Sequence, residues 1–437
     1  MQIKIVTLGC AKNLVDSEYL AAELHKAGHQ LVEELQQAEA VLVNTCGFIQ
    51  AAKEEALDVI FELIELKRTG KIKFLMAGGC LIERYAKELR KELPEVDVFL
   101  PFNSYTEINR AISGHSSSHK RQGFLPTGKN ERHRLTHTPY AYLKVSEGCN
   151  NNCTYCAIPL IRGTLRSRPL RDILKEAASL AEQGIKELVV LGQDTTSYGY
   201  DRYRRLRLPH LLKELIGLRV FPRIRLMYTH PAHYTQQLIE LVASEPTLLP
   251  YLDLPLQHIN ERILKRMNRS INKQQILSLI RHLRRDIPDL VLRTTFIVGF
   301  PGETEPEFEE LHDFVKQTRF ERLGVFAYSR EEDTPAARMR PHLDELVKEN
   351  RLDQIMRTQQ EISLSYQQSL VGKTLEVLVE QKVPGKNHYL GRGYMDAPEV
   401  DGQIEIIGSD ISLFDMIRLR VVSASTYDLK GEIVVNP

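Results

Sequence analysis

Two rhythms of apolar and polar residues run along this chain. Apolar runs at 3–8, 40–44 and 73–77 have the length and β-branched content of buried strands. Between them apolar residues recur at helical spacing. Leu20, Ala21, Leu24 and Ala27 follow a cap at Asp16 or Ser17, and Ala56, Val59, Ile60, Leu63 and Ile64 form one face of a helix from about 50 to 66. Strands alternating with helices predict a parallel sheet with right-handed crossovers. Between 140 and about 329, six more strands end near Val145, Leu191, Tyr228, Leu254, Val298 and Tyr328, again separated by helical stretches. Six such units predict an incomplete barrel of the TIM type, with its site on the face bearing the strand C-termini. Residues 342–370 read as one polar helix. Short alternating strands at 374–380, 404–407, 416–422 and 432–435, with Gly-rich turns, predict a small antiparallel barrel. Residues 113–137 lack periodicity and read as a solvated linker. The predicted class is α/β, with units at 1–112, 138–341 and 371–437, joined by the linker and the helix.

Composition changes little in this picture. The chain has 437 residues, 42% hydrophobic and 26% charged, and a net charge of +1, so no global field argues for nucleic acid or membrane. No apolar run approaches 18 residues, and the N-terminus enters a strand without the form of a signal peptide. Six cysteines are too few for a disulfide scaffold in so long a chain. The expected compartment is the cytoplasm and the expected state a monomer.

The cysteines carry the chemistry. Cys149, Cys153 and Cys156 stand within eight residues, after a predicted strand closed by Gly148. Thiolates so close converge with little backbone between them. A structural zinc or an ordinary cubane takes four protein ligands, and this motif stops at three, which leaves a metal coordination position open. Cys10, Cys46 and Cys80 each follow one N-terminal strand. In a parallel sheet they would meet at one edge, as a second triad. A zinc loop, or cysteines serving as small core residues, are the plainer alternatives.

Cys-x3-Cys-x-Tyr-Cys resembles the signature of radical S-adenosylmethionine (SAM) enzymes. The resemblance implies a 4Fe–4S cluster whose open iron binds SAM, reductive cleavage to a 5′-deoxyadenosyl radical, and Tyr155 near the adenine. Leu8-Gly9-Cys10-Ala11-Lys12-Asn13, Asn44-Thr45-Cys46-Gly47-Phe48-Ile49 and Gly78-Gly79-Cys80 resemble the N-terminal domain of methylthiotransferases. In that family both triads hold 4Fe–4S clusters, which uses every cysteine of the chain. The last module resembles TRAM. The wording around Cys10, Cys46 and Cys156-Ala157-Ile158-Pro159 is similar to the branch acting on an aspartate of small-subunit ribosomal protein twelve, free or on the ribosome, rather than on a tRNA adenosine. The expected reaction replaces a β-carbon hydrogen of that aspartate by a methylthio group, with SAM as radical source and methyl donor. A flavodoxin- or ferredoxin-type protein is the expected electron donor, and no catalytic side chain is expected beyond the clusters. A non-catalytic iron–sulfur or zinc RNA-binding protein is the alternative of another class.

Other motifs fall on the same predicted face. Gln193 and Asp194 stand where radical SAM enzymes contact the SAM amino group, and a carboxylate suits an ammonium. Gly299 and Gly302 suit either a close backbone approach to SAM or a tight turn. His230 and His258 read equally as substrate-facing or as satisfied loop histidines, and Arg266 and Arg269 as a solvated helical face. From 372 to 437 seven basic residues stand against ten acidic ones, so 7 − 10 gives −3. That sign predicts a module attracted to a basic protein rather than to phosphates.

Overall fold

The computed structural model describes residues 1–112, 123–384 and 387–434; the linker's 113–122 and the last residue of the final predicted strand lie outside them. The N-terminal unit is a five-stranded parallel sheet. Its three central strands, Gln2–Thr7, Ala40–Thr45 and Phe74–Gly79, are those predicted. Two short edge strands, Gln30–Leu31 and Val98–Leu100, were not foreseen, because two or three residues show no rhythm. Helices Ala11–Lys26, Gln50–Arg68 and Cys80–Glu92 cover the sheet.

The central unit is a six-stranded, all-parallel sheet in sequential order, Tyr140–Lys144, Glu187–Leu191, Arg223–Leu226, Leu248–Asp253, Val291–Val298 and Arg322–Ala327. It is the incomplete barrel that the sequence predicts, and strand Glu187–Leu191 is buried throughout. Helix Glu345–Ser369 straps this unit to the last one, turning Lys348, Arg351, Ile355, Gln359 and Ile362 inward. The C-terminal unit is a closed five-stranded barrel. It contains a strand absent from the sequence reading, His388–Arg392, and one parallel pairing, Ile404–Ile407 with Leu429–Ile433, where an all-antiparallel barrel was expected.

One expectation about charge fails and another loses its basis. The described part of the linker is not a solvated strap. Arg132 lies buried, donating to Glu18 at 2.6 Å, to Glu176 at 2.8 Å and to the Tyr142 carbonyl at 2.6 Å, and so seals the N-terminal unit to the barrel. The acidic excess of the last module is also largely neutralised within the chain. Asp396 meets Arg322 at 2.5 Å, Asp401 meets the Tyr251 hydroxyl at 2.6 Å and Arg293 at 3.7 Å, Glu399 accepts from Tyr140 and Tyr142, and Glu405 pairs with Lys430 at 3.1 Å. Arg392 of the module reaches Glu187, and Arg225 donates to the Tyr394 carbonyl at 2.8 Å. The module thus closes the floor of the open barrel, at the N-terminal ends of its strands. Its net charge therefore does not decide its partner.

Candidate functional site

Each cysteine of the N-terminal triad stands at a strand end. Cys10 begins helix Ala11–Lys26, Cys46 follows Ala40–Thr45, and Cys80 opens helix Cys80–Glu92. Gly79, at φ 93°, makes the turn that delivers Cys80; a Cβ there would strike the backbone of Thr45. Gly9 packs directly on the Cys46 side chain. Asn13 holds the turn together, donating to the Leu8 carbonyl at 2.8 Å and the Thr45 carbonyl at 3.0 Å. Burial pushes the Cys80 thiol up to about 12 and raises Cys46 as well; at Cys10 the ammonium of Lys12 and the guanidinium of Arg162 outweigh burial and lower it.

The second triad hangs from the loop between strand Ser146–Glu147 and helix Ile158–Arg162. Gly148, at φ 73°, opens it against the Thr164 carbonyl, where no side chain fits. The backbone N–H of Asn151 points at Cys149 Sγ at 3.5 Å. Thr154 pins the loop to its neighbour, its N–H on the Met267 carbonyl at 3.0 Å and its hydroxyl on the Arg266 carbonyl at 2.9 Å. Burial pushes the Cys149 thiol up to about 12 and raises Cys156 further. Cys46, Cys80, Cys149 and Cys156 therefore keep their protons until a metal displaces them.

Arg266 and Arg269 are not a solvated face. Arg266 donates to the Pro301 carbonyl at 3.0 Å, and Arg269 to the Pro255 carbonyl at 2.7 Å, with its other nitrogen 3.7 Å from Cys153 Sγ. Both guanidiniums are held by backbone acceptors of neighbouring strand-end loops, which a helical wheel does not show.

Between the triads lies a fully buried web of four charges. Lys144 pairs with Asp16 and, at 3.0 Å, with Glu147; Arg162 reaches Asp16 at 3.0 Å and Glu147 at 2.8 Å. The second nitrogen of Arg162 meets Asn13 Oδ1 at 2.6 Å and stands 3.4 Å from Cys80 Sγ. Arg162 thus ties helix Ile158–Arg162, which follows one triad, to the sulfur of the other. Burial raises the Glu147 carboxyl, but Arg162, Lys144 and the Gly148 N–H outweigh it and leave it at about 2. None of these roles was read from the sequence. A signal existed: Lys144 falls in a strand buried on both faces, where a charge must be paired.

The remaining predicted residues are placed as follows. Asp194 caps the turn Thr195–Ser197 and accepts from Asn151 at 2.8 Å, Thr196 at 2.5 Å, the Ser197 hydroxyl at 2.5 Å and N–H at 3.2 Å, and His233 at 2.8 Å. Burial raises its carboxyl; the hydrogen bond and charge of His233, then His230 and Ser197, outweigh this and hold it well below the usual carboxylate range. Gln193 donates to Glu147 at 3.4 Å. Tyr155 packs, partly buried, against the small cluster of Ile263, Met267, Phe300, Tyr328 and Ala336. Gly299 donates to the Glu303 carboxylate at 3.1 Å and backs onto the Lys348 stem, while the Gly302 N–H meets the Pro341 carbonyl at 2.7 Å. Both belong to the tight turn before helix Glu305–Thr318. His258 Nδ1 accepts from Asn260 at 2.9 Å, while its buried Nε2 stands 3.6 Å from Glu303 without a hydrogen bond. His230 accepts from Ala232 at 3.2 Å and keeps its Nε2 without a partner.

Both cysteine sets suit 4Fe–4S clusters. Among the described residues the compact group of single-ion ligands is Asp194, His230 and His233, with ligand atoms within 4.8 Å of one another. Each cysteine set supplies three thiolate ligands, one short of the four that a structural zinc or a fully protein-ligated cubane takes. Nitrogen donors stand against Cys80, Cys149 and Cys153, the contacts that tune cluster sulfurs. Cys10, Cys46 and Cys80 would hold one cluster, and Cys149, Cys153 and Cys156 the other. Among the described residues no helix is long and apolar enough to cross a membrane.

Family models match in three places: the radical SAM superfamily over 143–315, an uncharacterized family, UPF0004, over 2–101, and the TRAM domain over 371–434. Among solved structures, the radical SAM methyltransferase TsrM from Kitasatospora setae, with cobalamin and a [4Fe-4S] cluster bound, shares the fold at TM-score 0.58 and 14% identity, over 93% of this chain and 82% of that one. The cobalamin-dependent radical enzyme OxsB shares it at 0.51 and 12%, over 82% and 56%. Curated relatives are much nearer. The ribosomal protein uS12 methylthiotransferase RimO of Clostridioides difficile is 44% identical over 440 residues, covering 99% of both chains. That of Heliobacterium modesticaldum is 46% identical over 446 residues, covering 100% of this chain and 96% of its own. Likeness of that degree over the full length settles the family, and the chain belongs to the RimO family of radical SAM methylthiotransferases.

Proposed function

We propose that this protein adds a methylthio group to the β-carbon of an aspartate of ribosomal protein uS12. One observation carries the reading: two cysteine triads, each short of a fourth cysteine, joined through the buried Arg162–Glu147 web. The relatives named above are uS12 methylthiotransferases along their whole length, which supports the substrate. When bound, the clusters and SAM supply a radical able to take hydrogen from an unactivated carbon, which acid–base side chains cannot do.

The chain's own residues bind and position. Cys149, Cys153 and Cys156 would hold the cluster that binds SAM, and Cys10, Cys46 and Cys80 would hold the second. Asp194 has both carboxylate oxygens engaged within the chain, fixing Asn151 of the cluster loop and His233; in this reading it orients the SAM site through those two residues. Gln193 and the packed ring of Tyr155 complete the SAM surroundings, with Gly299 and Gly302 shaping the adjoining turn. Electrons come from a flavodoxin- or ferredoxin-type donor, and the protein works in the cytoplasm as a monomer.

Mass spectrometry of ribosomal proteins and tRNA from cells with and without the gene tests this. A methylthio mass on uS12 that disappears with the gene is the expected result. An unchanged uS12 with loss of a methylthio group from tRNA would transfer the activity to RNA.

A further inference from the structure

Four lysines among the described residues are buried, and three of them end on a carboxylate: Lys53 on Glu331, Lys144 on Asp16 and Glu147, and Lys348 on Glu345. Lys12 is the exception. It is 7% exposed, yet among the described residues its ammonium has no hydrogen bond or ion pair. Its Nζ instead lies 3.3 Å from the centroid of the Tyr228 ring. A buried charge normally ends on an acceptor; a cation–π contact alone leaves every N–H of the ammonium unused.

Beyond Cys10, the acidic groups around it are Glu147 and Asp253, and both are engaged. Glu147 is engaged by Lys144, Arg162 and the Gly148 N–H. Asp253 is engaged by Arg293 at 3.0 Å and the Tyr228 N–H at 3.0 Å. Tyr228 itself is held at φ 56°, a costly conformation for a non-glycine residue. Its carbonyl accepts from Thr195, beside Asp194. Lys12 comes from the N-terminal unit, two residues after Cys10, and Tyr228 from the end of a barrel strand. The cation therefore sits where the two triads' elements meet, beside Cys10, with neither neighbouring carboxylate free to take it.

We propose that Lys12 receives the side-chain carboxylate of the substrate aspartate, with the Tyr228 ring as the floor that holds the ammonium in place. The inference rests on the substrate reading above and deepens it. The carboxylate is bonded directly to the β-carbon, so anchoring it fixes the carbon that is modified. It also makes the site read charge: asparagine has the same shape but no charge to offer.

The test uses the full-length protein with both clusters and two peptides of the modified uS12 loop, one with the natural aspartate and one with asparagine in its place. The wild type is expected to bind the aspartate peptide about tenfold or more tightly than the other, the scale of a charge-assisted hydrogen bond. Lys12→Met should bind both with the same weak affinity, and Lys12→Arg should restore the preference. If Lys12→Met keeps the wild-type preference while wild type modifies uS12, Lys12 is not the receptor and the substrate reading stands. Should Lys12→Met instead weaken SAM binding, or shift the N-terminal cluster's potential, with the preference intact, the cation serves SAM or the cluster and the proposal is overturned. A wild type that binds neither peptide and leaves uS12 unmodified removes the substrate reading and this inference with it. If Lys12→Met fails to fold, Lys12→Gln gives the same comparison.

Discussion

The buried web between the triads gives the sharpest quantitative test of how the two halves are held together. Arg162 is 1% exposed and balances, with Lys144, the carboxylates of Asp16 and Glu147. Arg162→Met keeps most of the apolar stem but leaves two carboxylates facing one ammonium. An uncompensated buried charge of this kind costs about 3–5 kcal/mol, and loss of the guanidinium over the Phe102 ring, 4.7 Å away, adds about 0.5–2 kcal/mol. Glu147→Gln makes the opposite error, leaving two cations against Asp16, at a cost of similar size. The double variant is balanced again, Lys144 against Asp16. It should therefore cost less than the sum of the singles by about 1–3 kcal/mol. Native-state hydrogen exchange of helix Ala11–Lys26 and strand Tyr140–Lys144 reads these energies locally, without assuming that so large a chain unfolds in one step. Strict additivity, or a single-variant cost under about 1 kcal/mol, would show that the web is packing rather than balanced charge.

Two further outcomes are expected. Anaerobically prepared protein should carry about eight iron per chain, the content of two cubanes; replacing Cys10, Cys46 and Cys80 by Ala should halve this while SAM cleavage persists, and a triple variant with full iron and full activity would sink the two-cluster assignment. Burial, together with the charge of Asp401, pushes the Asp396 carboxyl from 3.8 up to about 6 against the pull of Arg322, so its stabilisation of the floor is complete below pH 3.8 and lost as pH rises through 6. Asp396→Asn should flatten the dependence of module protection on pH between those values, measured by hydrogen exchange, and an unaltered slope would exclude Asp396 as its source.

What the sequence showed and what it hid divide along a physical line. Cys10, Cys46 and Cys80 were legible as a triad because three strands separated by helices must run parallel, and parallel strands collect their C-terminal ends. The six barrel strands were legible for the same reason. Lys144, Glu147, Arg162 and Arg132 were not, since a charged letter reads as solvated until its partner is known, and Asp16 and Glu18 lie more than a hundred positions away from them. Arg269 was misread on a helix for that reason. The acidic letters of the last module misled most, because summed charge ignores which carboxylates already face a guanidinium.

The closed floor of the barrel has a practical consequence for anyone who cuts the chain. Without the C-terminal module, Arg223, Arg225, Arg293 and Arg322 would line an open hole with only Glu187 and Asp253 to balance them. Four guanidiniums around a cleft attract any polyanion, whatever its sequence. A truncated protein would therefore gain affinity for RNA by losing its C-terminal module, and a deletion experiment scored by RNA retention would assign the binding to the wrong domain.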